Sequence, residues 1–367
     1  MNIAAVILAA GSSSRMEDGF KPLMQLGNAS LLAHAAGLFR EAGIDAVTVV
    51  TGHRRREVEK EAACHGLDIL YNADHRLGMY SSVRIAAEHL RDYDGFFLLP
   101  VDIPLVRPAT VTAQLSAFTG QAVVVPAFKG RGGHPPLIPS KLIPAILNSS
   151  GRRGLRGVLE NQTLQQAAVW DRGILLDCDT ARDFAALQLR YARLHIGEPV
   201  EAAVLAGLAM PAAGVLHGRA VARVAVVLAK ELRRHGENID LPLTHNAALL
   251  HDIAKGQPHH ESRGAEMVGE LGLSALAEPI GGHRDLLPPA DGRLAEKELV
   301  CLADKLVRGD RRVSIDGRFH QKLQYYADDE TICTAIRKRR ARAFALQEMF
   351  ERTTGRSLEA VLAPAAL

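Results

Sequence analysis

Up to about residue 180 the chain alternates short apolar or β-branched runs with helical patterns, and after Gly197 that alternation stops. IAAVILA (3–9), AVTVVT (46–51), LDILYN (67–72), FFLLPVD (96–102) and AVVVPAF (122–128) have the length and composition of strands. Between them LLAHAAGLFREAG (31–43) and YSSVRIAAEHLRDY (80–93) carry apolar residues at helical spacing. Such succession builds crossover units, so the first half predicts an α/β, Rossmann-like fold: a mostly parallel sheet with helices on both faces. The segments 198–209, 217–236, 243–256, 262–273, 295–309 and 331–355 all read as helices with no strand-like run between them. The second half is therefore expected to be all-α. Asp179 or Thr180 suits the cap of a helix through ARDFAALQLRYARLHI (181–196), and IGEP (196–199) breaks it. Domains are expected over 1–195 and 198–367.

A chain of 367 residues is long enough for two cores of ordinary size. Its hydrophobic share of 47% and charged share of 23% are those of a globular protein, and no apolar run is read as approaching the roughly 20 residues that cross a bilayer. No membrane partner is expected. The N-terminus enters a strand-like run with no basic segment or small-residue cleavage site, which predicts a cytoplasmic protein. Cys64, Cys178, Cys301 and Cys333 have no CxxC spacing, which argues against a disulfide framework or a cysteine zinc site. A net charge of +3 gives no reason to expect nucleic acid, and the basic run IRKRRARAF (336–344) reads as a solvated helix face.

In an open α/β sheet the ligand crevice lies beyond the carboxyl ends of the strands. LAAGSSSRMEDGFKPLMQLG (8–27) begins there. Gly11 lets the backbone approach a phosphate, the amides after it can form an anion nest, and Arg15 and Lys21 carry charge opposite to a triphosphate. The stretch is neither GxxxxGK[ST] nor GxGxxG, and on spacing alone a phosphate cradle and a structural bend fit it equally. Asp102 closes FFLLPVD, where its carboxylate would meet Mg²⁺ bridging to nucleotide phosphates.

LAAGxSxRM followed by a lysine resembles the signature of nucleotidyltransferases that activate small molecules with an NTP. NADHRLGMYSSVRIA (72–86), LLPVDIPLV (98–106), GRGGHPPLIP (130–139), RGLRGVLE (153–160) and LLDCDTARDF (175–184) follow in the order of the molybdenum cofactor cytidylyltransferase group. The resemblance implies CTP or another NTP as nucleotide, a molybdopterin-type acceptor, Mg²⁺ on Asp102 and Asp179, and a molybdoenzyme or its chaperone as a further partner. Asp177 is the alternative to Asp179, and a helix cap is the other reading of Asp179. Leu8, Ala9, Ala10, Gly11, Ser12, Ser13, Arg15 and Lys21 would surround the nucleotide; Asn72 with Ser81 or Ser82 would bond base, sugar or acceptor, and Gly133 and His134 would lie beside the acceptor. Ala10 points to CTP, because guanosine-using relatives usually have glycine there. Glu17 and Asp18 depart from the family, which usually has glycine after Arg-Met; their carboxylates would repel a triphosphate unless turned away or met by a metal.

In the second half His217 opens a long helical run, His251 and Asp252 stand in LLHDIAKG (249–256), and Asp304 stands in LADKLV (302–307). A helical bundle can converge such side chains on one metal. The order resembles the HD phosphohydrolase superfamily. Its extended form implies a second metal held with His260, in HxxxG spacing, and His283; His259 is the alternative to His260. Imidazole with carboxylate suits Mn²⁺, Fe²⁺, Zn²⁺ or Mg²⁺, a metal pair can activate water against a phosphoester, and Lys255 would hold the substrate phosphate. Three function classes follow: a molybdopterin nucleotidyltransferase with a fused hydrolase, a sugar- or alditol-phosphate nucleotidyltransferase, and a non-enzymatic cofactor carrier with a regulatory HD domain.

Overall fold

The computed structural model describes residues 1–13 and 19–363. Two compact units, Met1–Ala192 and Arg193–Leu367, divide the chain. In the first unit the strands are β1 (Ile3–Leu8), β2 (Gln25–Leu26), β3 (Ala29–Ser30), β4 (Val47–Thr51), β5 (Asp68–Tyr71), β6 (Gly95–Pro100), β7 (Val123–Phe128), β8 (Arg131–Gly132), β9 (Leu137–Pro139) and β10 (Leu164–Ala168). The helices are α1 (Leu31–Glu41), α2 (Arg55–Cys64), α3 (Met79–His89), α4 (Pro108–Ala117), α5 (Ile143–Asn148), α6 (Gly154–Leu159) and α7 (Ala181–Tyr191).

The main sheet runs β10-β7-β9-β6-β1-β4-β5, with β8 paired to β7 and with β2 and β3 forming a separate ribbon. β1 is parallel to β4 and β6, β4 to β5, and β7 to β10, while β9 runs antiparallel between β6 and β7. β1 is apolar without alternation because helices cover both its faces. Phe96, Leu98, Val6 and Leu8 face a core completed by Val83, Ala86 and Ile146. On the other face Phe97 meets Phe39 of α1 at a ring separation of 5.6 Å. The chain moves from β1 outward through β4 to β5 and then returns to β6 on the other side of β1. This reversal opens a crevice at the carboxyl ends of β1, β4 and β6.

The second unit holds α8 (Pro199–Ala209), α9 (Ala212–Arg234), α10 (Leu241–Leu250), α11 (His260–Glu270), α12 (Ala277–Gly282), α13 (Glu296–Lys305), α14 (Ile315–Tyr325), α15 (Glu330–Thr354) and α16 (Leu358–Leu362). It is helical except for one element that corrects the all-α expectation: Val307–Arg308 (β11) and Arg311–Arg312 (β12) form a two-residue hairpin. Gly309, at φ +60°, allows the tight turn. α9 also exceeds the apolar length read from sequence, being long and apolar enough to cross a membrane by length and composition. Half of its apolar window is buried here, with Val221, Val224, Ala225, Leu228 and Leu232 turned into the bundle.

Candidate functional sites

At the carboxyl end of β1 the chain turns across β4. Ala9 N–H donates to the Val50 carbonyl at 3.0 Å, and the Ala10 carbonyl accepts from His53 N–H at 3.1 Å. A Cβ on Gly52 would stand 2.8 Å from Ala10 Cβ, 2.9 Å from the Ala10 carbonyl and 2.7 Å from His75 Cβ, so a side chain is excluded where β4 passes the loop. A cavity of about 680 Å³ lies above this crossing, walled by Leu8, Ala9, Ala10, Gly11, Ser12, Ser13, Lys21, Ser82 and Asp102 among the residues anticipated from sequence. His53, His75, Arg76, Gly78 and Met79 also line it, beside Pro22, Pro100 and Val101, and were missed by sequence reading. The signal for His53 was its place just past a parallel strand. Arg15, Glu17 and Asp18 lie outside the described residues.

Asn72 is not in that wall. Its amide donates to Ser81 Oγ at 2.8 Å and Ser82 Oγ at 2.9 Å, and its carbonyl accepts from Asp74 N–H at 2.9 Å. Ser81 bonds back to the Asp74 and Gly78 carbonyls. The two residues build the start of α3, and that leaves Ser82 at the cavity.

Lys21 joins the acidic residues. Its Nζ donates to Asp102 Oδ2 at 3.0 Å and to Asp179 Oδ1 at 2.7 Å. Burial alone would lower the ammonium's pKa, but hydrogen bonds to Asp179 and Asp102 and their charges raise it above the ordinary lysine value. Asp179 lies in no strand: residues 176–179 link a 3₁₀ turn to α7. That helix is capped by Thr180 and Asp183, which leaves the Asp179 carboxylate to the lysine. Cys178 N–H donates to the Asp102 carbonyl at 2.8 Å, pinning the two acidic segments together. A Cβ on Gly133 would come 2.4 Å from the Ile174 carbonyl, and His134 N–H donates to that carbonyl at 3.0 Å. Burial lowers the His134 pKa against the charges of Asp102 and Asp177, and its Nδ1 is buried with no hydrogen-bond partner.

In the helical unit His217 comes from the second turn of α9, His251 and Asp252 from the turn after α10, His260 from the start of α11, His283 from the end of α12 and Asp304 from α13. Candidate donor atoms of His217, His251 and Asp252 all lie within 4.8 Å of one another, and so do those of Asp252, His260 and His283. Asp252 therefore belongs to both sets. Its Oδ2 faces His217 Nε2 at 3.9 Å and His251 Nε2 at 3.5 Å, while its Oδ1 faces His260 Nε2 at 3.7 Å and His283 Nε2 at 3.8 Å. Asp304 Oδ1 approaches His217 Nε2 at 3.2 Å and His251 Nε2 at 3.7 Å.

Backbone carbonyls orient the rings. Nδ1 of His217 bonds Gly309 O at 2.8 Å, that of His251 bonds Ala248 O at 2.8 Å, and that of His283 bonds Ile280 O at 2.6 Å. Each ring thus turns Nε2 inward, the arrangement of second-shell bonds found around metal-ligating histidines. The unforeseen hairpin supplies the Gly309 carbonyl. Burial lowers the His251 pKa and pushes His283 down to about 4, which favours the neutral imidazole that a metal ion requires. His251 Nε2 is buried with no hydrogen-bond partner, which fits a nitrogen placed to ligate a divalent ion. His259, the alternative to His260, stands in the left-handed region at φ +49° as the residue before α11. Lys255 Nζ donates to Asp252 Oδ2 at 2.5 Å.

A glycine-bearing loop over parallel strands and a lysine-bridged acidic pair stand at the crevice of the α/β unit, and a histidine-aspartate cluster that could hold a metal ion stands in the helical one. Residues 5–168 match the model of the MobA-like NTP transferase domain, and residues 215–309 match that of the HD domain. The chain carries a MobA-like NTP transferase domain followed by an HD domain. Among curated proteins it is similar to the bifunctional protein GlmU of Geobacter sulfurreducens, 29% identical over 136 residues that make up 36% of this chain and 29% of that protein. The chain thus spans under a third of the length of the curated relatives it matches. Among solved structures it is similar to Rv0371c from Mycobacterium tuberculosis, at 24% identity and a TM-score of 0.46 over 52% of this chain and 98% of that one. It is also similar to molybdopterin-guanine dinucleotide biosynthesis protein A from Archaeoglobus fulgidus, at 14% identity and a TM-score of 0.41 over 52% of this chain and 99% of that one.

Proposed function

We propose that the first unit, assigned to residues 1–195, transfers CMP, in preference to GMP, from an NTP to the phosphate of a molybdopterin-type acceptor and releases pyrophosphate. The observation that carries this reading is the meeting of Asp102 and Asp179 on Lys21 at the mouth of a nucleotide-sized cavity. The two carboxylates would hold Mg²⁺, which supplies charge neutralisation for the triphosphate. Lys21 then turns from carboxylates to phosphate oxygens, Ser82 bonds the nucleoside, and Gly133 and His134 border the acceptor. The acceptor phosphate oxygen forms the new P–O bond at the α-phosphorus as the bond to pyrophosphate breaks; no protein base is needed, and positioning does most of the work. Ala10 is 5% exposed and backs onto Gly52, which narrows the floor of the cavity and supports the smaller base.

The second unit, assigned to residues 198–367, is proposed as a metal-dependent phosphohydrolase. His217, His251, Asp252 and Asp304 would hold one divalent ion, and Asp252, His260 and His283 a second. The reading places both activities in the cytoplasm, where the four free cysteines stay reduced. The test is mass analysis of products after incubation with Mg²⁺, each NTP and molybdopterin. CMP-linked molybdopterin and pyrophosphate are expected with CTP. Turnover of a sugar phosphate instead would replace the acceptor assignment, and no product with any NTP and acceptor would end the transferase reading.

A further inference from the structure

The matched HD residues end at 309, yet the next helix reaches back to the metal cluster. Arg318 of α14 donates from Nη2 to Asp304 Oδ1 at 3.4 Å, the same oxygen that faces His217 and His251. Asp304 Oδ2 is already taken by Lys305 Nζ at 2.8 Å, whose ammonium also donates to the His283 carbonyl at 3.0 Å. Oδ1 is therefore the oxygen left for an ion, and Arg318 occupies it. Lys322 lies one helical turn beyond Arg318, so their side chains share a face of α14. Among the described residues no carboxylate pairs with Lys322; Arg318, Lys305 and Arg339 are the cations acting on it, and Asp304 is the acidic group. Arg339 itself faces Asp285 at 3.9 Å. Arg318 is half-buried and Lys322 exposed, so both are open to solvent on that face.

We propose that Arg318 and Lys322 form a phosphate-binding arm of the helical unit's metal centre, armed when a divalent ion takes Asp304 Oδ1 and frees Arg318. The inference rests on the metal-centre reading above and adds to it residues outside the HD-matched segment. A guanidinium released from a carboxylate offers a planar fork to phosphate oxygens, and the lysine adds a point charge at the outer side. The ligand class is a phosphate monoester or diester carried to the ions by its phosphoryl group.

The test measures inorganic phosphate binding to the full chain by calorimetry with and without Mn²⁺, together with bound Mn²⁺. Wild type is expected to bind phosphate more tightly with Mn²⁺. Lys322→Gln lowers that affinity about tenfold with bound Mn²⁺ unchanged, and Lys322→Arg retains it. Arg318→Gln lowers phosphate affinity as well but tightens Mn²⁺, since a competing cation has gone; a structural role would weaken both. Phosphate affinity unchanged in both glutamine variants, with Mn²⁺ bound, overturns the arm while leaving the metal centre standing. No Mn²⁺ bound to wild type overturns the metal centre and the arm with it.

Discussion

Gly52→Ala tests how the nucleotide loop is held. The new Cβ meets three atoms at 2.7 to 2.9 Å, where ordinary contact begins near 3.4 Å. Two of the three belong to Ala10, and the Ala10 carbonyl is bonded to His53 N–H at 3.1 Å, so Ala10 cannot retreat without breaking that frame. Overpacking of this kind costs about 1–3 kcal/mol, and the lower unfolded-chain entropy of alanine offsets about 0.4–1 kcal/mol of it. A net loss of about 1–2 kcal/mol is expected in the sheet unit, with loop 9–11 displaced and CTP affinity reduced about tenfold. Trp170, the chain's single tryptophan, is buried in this unit beneath the Arg107 guanidinium, so its fluorescence during urea unfolding reports the unit alone. Calorimetry gives the CTP affinity. Adding Ala10→Gly removes the 2.8 Å contact and should recover part of both losses, a coupling visible in the double-mutant cycle. A stability change within about 0.5 kcal/mol and unaltered CTP binding in Gly52→Ala would refute the reasoning.

Because Asp252 belongs to both candidate sets, Asp252→Ala should abolish the metal held by the helical unit in metal analysis, whereas His260→Ala should remove one of its ions and leave the other; equal losses would contradict two sets sharing one carboxylate. Native protein should label rapidly at Cys64 alone, since Cys178, Cys301 and Cys333 are buried and burial pushes the Cys178 thiol up to about 11; mass mapping of fast labelling at Cys178 would refute this. In metal-stripped protein burial puts His283 at about 4, against about 6.5 in an unfolded chain, so the unfolded state takes the proton first as pH falls. The stabilising preference for neutral imidazole is present above pH about 6.5 and is lost toward pH about 4, worth roughly 3 kcal/mol in all. Urea unfolding followed by circular dichroism should show this loss in wild type and a smaller one in His283→Gln; equal slopes would count against it.

The sequence made β1 and β6 legible because a strand buried on both faces has no polar alternation to hide it, and Asp102 follows from where β6 stops. β10 escaped because LQQAA is an edge strand with four of five residues exposed or polar to solvent, and β9 because three residues ending in proline carry no periodicity. The metal cluster was readable through spaced histidines and aspartates, each pattern local to one helix end. Its supports were not. The Gly309 carbonyl that turns His217 lies 92 residues away from it, and Arg318 looks like any solvated helix arginine until α14 is placed. Lys21 was legible as a cation, but its two carboxylates stand 81 and 158 residues along the chain, a meeting that only the folded sheet creates.

That meeting is the central claim, and the Mg²⁺ dependence of CTP binding tests it most directly. Calorimetry of the full chain should show CTP bound at least tenfold more tightly with Mg²⁺ than with EDTA, and Asp102→Ala with Asp179→Ala should erase that difference. An equal Mg²⁺ enhancement in the double variant would mean that the acidic pair joined by Lys21 does not hold the nucleotide's metal.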